Sequence, residues 1–204
     1  SFDWSLNNTL TWDKTFGDHR FTVTLVQEAE ENRYWSDNIE ARNITPTDVL
    51  GLHYISGANK EQSNFWASDS HSTAAAYLGR LFYSYKDRYM FTGTVRRDGY
   101  SAFGLNNPWA TFWSVGGSWV FSEEKFVDLD WLNTGKFRVS YGTNGNRSLG
   151  DTYLSLSNLK NDYPMGYWIS GAQTVVNTLF VDRLGNPNLE WEKTTAYNVG
   201  VDFA

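Results

Sequence analysis

The segment WATFWSVGGSWVF, Trp109 to Phe121, alternates with a period of two. Trp109, Thr111, Trp113, Val115, Gly117, Trp119 and Phe121 form one set, and Ala110, Phe112, Ser114, Gly116, Ser118 and Val120 form the other. That period belongs to a β-strand, whose successive side chains leave on opposite faces. The distribution within the first set constrains the fold further, because large rings stand at both ends and small residues between them. A sandwich core concentrates bulk at strand centres, where two sheets meet. A bilayer does the reverse, drawing aromatic rings to its two interfaces and leaving an aliphatic band between. The run covers roughly 40 Å of extended chain. At a tilt of about 40° that is roughly 30 Å of height, enough for an apolar band with both girdles.

The same pattern recurs along the chain. Phe2, Trp4, Leu6, Leu10 and Trp12 oppose Asp3, Ser5, Asn7, Thr9, Thr11 and Asp13. After a turn at KTFGDH (14–19), Phe21, Val23, Leu25 and Ala29 oppose Arg20, Thr22, Thr24 and Glu28. Alternation lapses over residues 30–71, resumes over 72–85, and continues past a KDR turn (86–88) through 89–97. It returns at KFRVSYG (136–142), lapses over 144–188, and closes with a strand over 189–203. These runs predict an all-β chain of about seven antiparallel strands. Short links alternate with long ones, a spacing that soluble domains seldom carry and outer-membrane barrels carry systematically, with the long loops outside.

With the short links placed on the periplasmic side, Trp12, Phe21, Tyr83, Tyr85, Trp119, Phe121 and Phe203 form one ring of aromatics. Trp4, Trp109, Trp113 and Trp191 form the other. Leu6, Leu10, Leu25, Val115, Val199 and Val201 lie between. The expected lumen-facing charges are Arg80, Arg96, Lys136, Arg138, Glu190 and Glu192, on the opposite parity. Arg97 and Lys193 break that parity near the long-loop rim, where a charge can snorkel to headgroups.

Composition narrows the function. The 204 residues carry a formal charge of −6, with 17 Lys and Arg against 23 Asp and Glu, so nucleic acid is not an expected partner. Cysteine is absent and three histidines (His19, His53, His71) stand at no metal-ligand spacing, so neither a metal nor another cofactor is expected. No apolar run is long enough for a transmembrane helix, which says nothing against a barrel. Glu190 and Glu192 could pair as a glycosidase acid and base, but lining a lumen explains them without chemistry. Gly142–Gly145 lacks the lysine and the strand–loop–helix context of a phosphate-binding loop. No enzyme is expected. Both termini fall inside alternating runs, which reads as part of a longer protein.

Four segments resemble the SusC/RagA-like family of TonB-dependent outer-membrane transporters: YSYKDRYMFTGTVRRDGYSAFG (83–104), NNPWATFWSVGGSWVFSEEKF (106–126), WLNTGKFRVSYGTNGN (131–146) and GNPNLEWEKTTAYNVGVDF (185–203). The resemblance implies that residues 1–204 are part of a barrel of 22 strands, with the plug domain and TonB box outside this stretch. It also implies an outer-membrane location, a SusD-like surface lipoprotein as lid, energy through TonB, and glycans or peptides as substrates. Ala102 departs from the arginine that similar sequences often carry before Phe-Gly. Within the long loops (about 30–71 and 144–188), Trp35, Tyr54, Trp66, Tyr167 and Trp168 are the candidate contacts to substrate or lid, with Tyr34, Phe65 and Tyr163 beside them. Aromatic loops also pack on one another, and that reading stays open. A passive porin or adhesin barrel shares the wall pattern, and a soluble carbohydrate-binding β-sandwich is the remaining alternative.

Overall fold

A computed structural model describes residues 1–44, 49, 54–127, 131–169 and 172–204, with side chains described outside 161–178. The described residues form nine strands: β1 (Phe2–Phe16), β2 (His19–Glu40), β3 (Asn64–Tyr85), β4 (Tyr89–Tyr100), β5 (Trp109–Val120), β6 (Gly135–Asn146), β7 (Asn158–Ile169), β8 (Ala172–Arg183) and β9 (Glu192–Phe203). Seven make one antiparallel sheet in the order β1-β2-β3-β4-β5-β6-β9, and β7 and β8 form a separate hairpin. Every neighbour in the large sheet except β9 is also a neighbour in sequence, the meander expected of a barrel wall.

Register assigns the faces. One row runs Trp12–Val23–Leu81–Gly93–Val115–Tyr141–Tyr197 across all seven strands, and a second runs Phe21–Tyr83–Phe91–Gly117–Val139–Val199. The opposite face carries Arg20, Arg80, Arg96, Lys136, Arg138 and Asp202. Bulk on the ring-bearing face stays exposed: Leu10 is 66% and Val199 67% accessible. No second sheet of this chain covers that face among the described residues, so the sandwich has no counterpart here.

The tight turns lie at one edge. Gly17 (φ +58°) and Asp18 join β1 to β2, while Lys86 (φ +51°) and Asp87 (φ +52°) hold the turn into β4. The Lys86 amide donates to the Asp18 carbonyl at 2.8 Å, tying adjacent turns together. The first turn is shorter than 14–19, because β1 and β2 pair out to Phe16 and His19.

Three expectations about extent need correction. Residues 30–71 are not one loop: β2 and β3 stay paired out to Glu40 and Asn64, leaving only 41–63 between them. The 144–188 insertion contains the β7–β8 hairpin. The final strand starts at Glu192 rather than 189, because Asn186–Asn188 still turns, with the Leu189 amide donating to the Asn186 carbonyl at 3.1 Å.

Candidate functional site

On the charged face, small residues in β3 let charges on its neighbours meet. Ala76 lies between Glu28 of β2 and Asp98 of β4 in register, and Ala74 lies between Glu30 and Tyr100. Arg96 donates from Nε to both Asp98 oxygens at 2.8 and 3.0 Å, and from Nη2 to Glu28 Oε2 at 2.7 Å. Arg147, just past β6, pairs with Glu30 and sets its guanidinium 5.7 Å from the Tyr100 ring centre. Two arginines are thus held among three carboxylates at the long-link end of the sheet.

An aromatic cluster closes one side of this charged patch. Trp191 stacks on Phe103 at 4.6 Å and meets the edge of Phe112 at 5.7 Å. Trp191, Phe103, Phe112 and Ala110 are all buried, Trp191 at 7% accessibility. Backbone bonds hold the loop 101–108 against the segment 184–191, with Gly104 donating to Leu189 at 3.0 Å and Asn106 to Pro187 at 3.2 Å. A Cβ on Gly104 would lie 2.1 Å from the Pro187 oxygen, so only glycine allows this approach. The Trp191 indole N–H is buried without an acceptor among the described residues, an uncommon state for a buried donor.

Two hollows share Glu30 and Arg147. The lower, about 280 Å³, is bordered by Ser5, Glu28, Asp98, Arg96 and Trp191. The upper, about 610 Å³, opens between the β2–β3 extension and residues 147–153, beside Asn32, Ser70 and Tyr153. Ser70 and Thr152 hydrogen-bond at 2.8 Å, and the His71 amide donates to Tyr153 Oη at 2.9 Å, anchoring the extension to that segment. The site therefore offers cationic donors, carboxylate acceptors and hydroxyls. Among the described residues no cluster of three metal-ligating side chains forms.

Register places the remaining expected residues. Trp4, Trp12, Phe21, Tyr83, Tyr85, Trp109, Trp113, Trp119 and Phe203 share the ring-bearing face. Phe121 lies just beyond β5 in a 3-10 turn, its ring edge-on to Trp119 at 6.0 Å. Trp191 is the exception: it is not among the exposed rings but buried against Phe112, whose side chain belongs to the charged face. Arg138 is bidentate to Asp202 at 2.7 Å, Glu192 accepts from Asn146 at 3.2 Å, and Glu190 is exposed ahead of β9 rather than on a strand face. Trp35 and Trp66 are exposed on opposite faces of the β2–β3 extension. Tyr54 covers Gly57 in the 3-10 turn 55–57. Tyr163, Tyr167 and Trp168 fall on β7, where their side chains lie outside the described residues. Arg147, Tyr100 and Phe103 escaped the sequence reading, since they sit in or beside links where period two carries no information. Ala102 is fully buried beside Phe103.

A twisted meander with one ringed, exposed face and one charged face defines a segment of the wall of a large β-barrel. The chain belongs to the TonB dependent receptor-like β-barrel family, whose description matches residues 1–204 throughout. That family is one of outer-membrane proteins. The TonB-dependent receptor SusC of Bacteroides thetaiotaomicron is 40% identical over 138 residues, covering 65% of this chain and 13% of the relative. TonB-dependent receptor P39 of Formosa agariphila is 32% identical over 205 residues, covering 100% of this chain and 19% of the relative. The solved RagAB peptide transporter superposes with a TM-score of 0.78 at 26% identity, over 98% of this chain and 21% of that one. The chain thus spans about a fifth or less of each of these relatives.

Proposed function

We propose that this chain is part of the barrel of an active outer-membrane importer of large nutrients, glycans or peptides. Its ring-bearing face meets lipid and its charged face lines the lumen. A SusD-like surface lipoprotein covers the long-link side, and TonB supplies energy through a plug inside the barrel. The barrel contributes no covalent chemistry. It holds substrate between the strand extension and the loops, and release follows remodelling of the plug.

The observation that carries this reading is the site at the long-link end, where Arg96, Arg147, Glu28, Glu30 and Asp98 converge. Donors and acceptors in close alternation suit ligands that present both, the hydroxyls of a glycan or the amides of a peptide. The similarity to SusC and to the RagAB peptide transporter supports the same reading. The test is uptake of labelled oligosaccharides and peptides by cells expressing the full-length protein, before and after collapse of the proton-motive force. Active import predicts that accumulation stops on collapse. Unchanged accumulation would instead make the barrel a passive pore.

A further inference from the structure

The ring-bearing face contains a mostly apolar slot with a polar end. Gly79 leaves a gap on β3, flanked in register by Leu25 and Val95, with Leu10 beyond Leu25. The hollow is about 640 Å³ and its lining is mostly apolar. Toward the long-link edge the next row reads Asn8–Gln27–Tyr77–Arg97. Asn8 donates to Gln27 at 3.3 Å. Arg97 lies 5.6 Å from the Trp109 ring centre, Trp109 stacks on Tyr77 at 6.2 Å, and Arg97 forms no ion pair among the described residues.

The rise from Tyr89 to Arg97 along β4 is roughly 27 Å, or roughly 20 Å of height at a tilt of about 40°. An apolar band is about 25 Å tall, so Arg97 lies in its outermost few ångströms, within snorkelling reach of the headgroups. A cation without a carboxylate partner, held by an aromatic ring beside two amides and above an apolar slot, is complementary to a phosphate on a sugar headgroup carrying acyl chains.

We propose that this slot binds one phosphorylated glycolipid of the outer leaflet. An acyl chain lies over Gly79 between Leu25 and Val95, the phosphate meets Arg97, and sugar hydroxyls meet Asn8 and Gln27. The leaflet assignment rests on the lipid-facing reading above. Charge complementarity decides the occupant, since a second copy of this chain would bring no anion to Arg97 from its own apolar band.

Native mass spectrometry of the full-length protein, titrated with monophosphoryl lipid A, dephosphorylated lipid A or phosphatidylglycerol, tests this. The expected result is a preference of about tenfold for the phosphorylated form, the scale of a charge-assisted contact. R97Q abolishes that preference, G79L weakens binding of both lipid A forms, and K14Q, at the opposite end of the same face, changes neither. Equal binding of the two lipid A forms, tighter binding of phosphatidylglycerol, or an equal loss in K14Q would overturn the proposal. Recovery of each variant in the membrane fraction, measured in parallel, separates failure of the slot from failure of the barrel reading.

Discussion

Arg96 of β4 reaches past β3 to Glu28 of β2, its Nη2 donating to Oε2 at 2.7 Å. The reach exists because Ala76, the β3 residue between Glu28 and Asp98, is small and 5% accessible. Both partners of the ion pair are more than a third exposed, so the pair itself contributes under about 1 kcal/mol. Crowding the site costs more: A76L forces displaced side chains at about 1–3 kcal/mol. Thermal unfolding of the full-length protein in detergent is expected to show A76L less stable than E28A. The reverse order would mean that the pair, not the space above Ala76, holds this part of the wall.

Trp191 separates packing from binding. Phenylalanine keeps the stacked and edge contacts with Phe103 and Phe112 but deletes the orphan N–H. W191F is therefore expected to stay near the wild-type unfolding midpoint and to leave the half-saturation concentration for uptake unchanged, because the N–H is buried out of a ligand's reach. W191A empties the cluster and costs about 3–5 kcal/mol. It should also open the 101–108 and 184–191 segments to protease. A raised half-saturation concentration in W191F would instead put the indole N–H in contact with substrate.

Glu124, in the link after β5, supplies a pH dependence. Its carboxylate accepts from Tyr89 Oη and from Trp119 Nε1 at 3.1 Å, with Arg88 at 3.7 Å. These contacts, the Tyr89 hydroxyl foremost, hold its pKa below the ordinary 4.5. A depressed folded-state pKa stabilises the fold above the unfolded value, and that contribution disappears as pH falls through the folded value. Unfolding midpoints of wild type and E124Q are expected to differ above pH 4.5 and to converge at lower pH. A difference constant with pH would exclude Glu124 as its source.

The sheet was legible wherever its two faces carry different kinds of side chain. Trp109–Trp119 in β5 and Tyr197–Phe203 in β9 keep a strict period, with rings and aliphatics mainly on one parity and mostly polar or small residues on the other. The β2–β3 extension was not legible, because Asn32–Glu40 and Asn64–Ser72 have no apolar face to alternate with. Backbone pairing alone continues the ladder there. Trp191 was misassigned by extending β9 back through a turn; the Asn-Pro-Asn at 186–188 was the available signal that period two does not yet apply. The Arg96 cradle was half legible: parity gave its face, but nothing in the spacing showed that Ala74 and Ala76 would let charges on three strands meet.

Val199 and Asn198 are adjacent on β9, opposite Val139 and Ser140 respectively, and so lie on different faces of one sheet. With hydrocarbon against the Val199 face, V199R costs about 2–4 kcal/mol near the bilayer midplane, whereas N198R projects into water at little cost. The decisive measurement is the yield of folded, heat-modifiable full-length barrel in outer-membrane fractions for the two variants. A steep loss for V199R with near-normal assembly for N198R is the predicted result, and equal yields would contradict a lipid-facing wall.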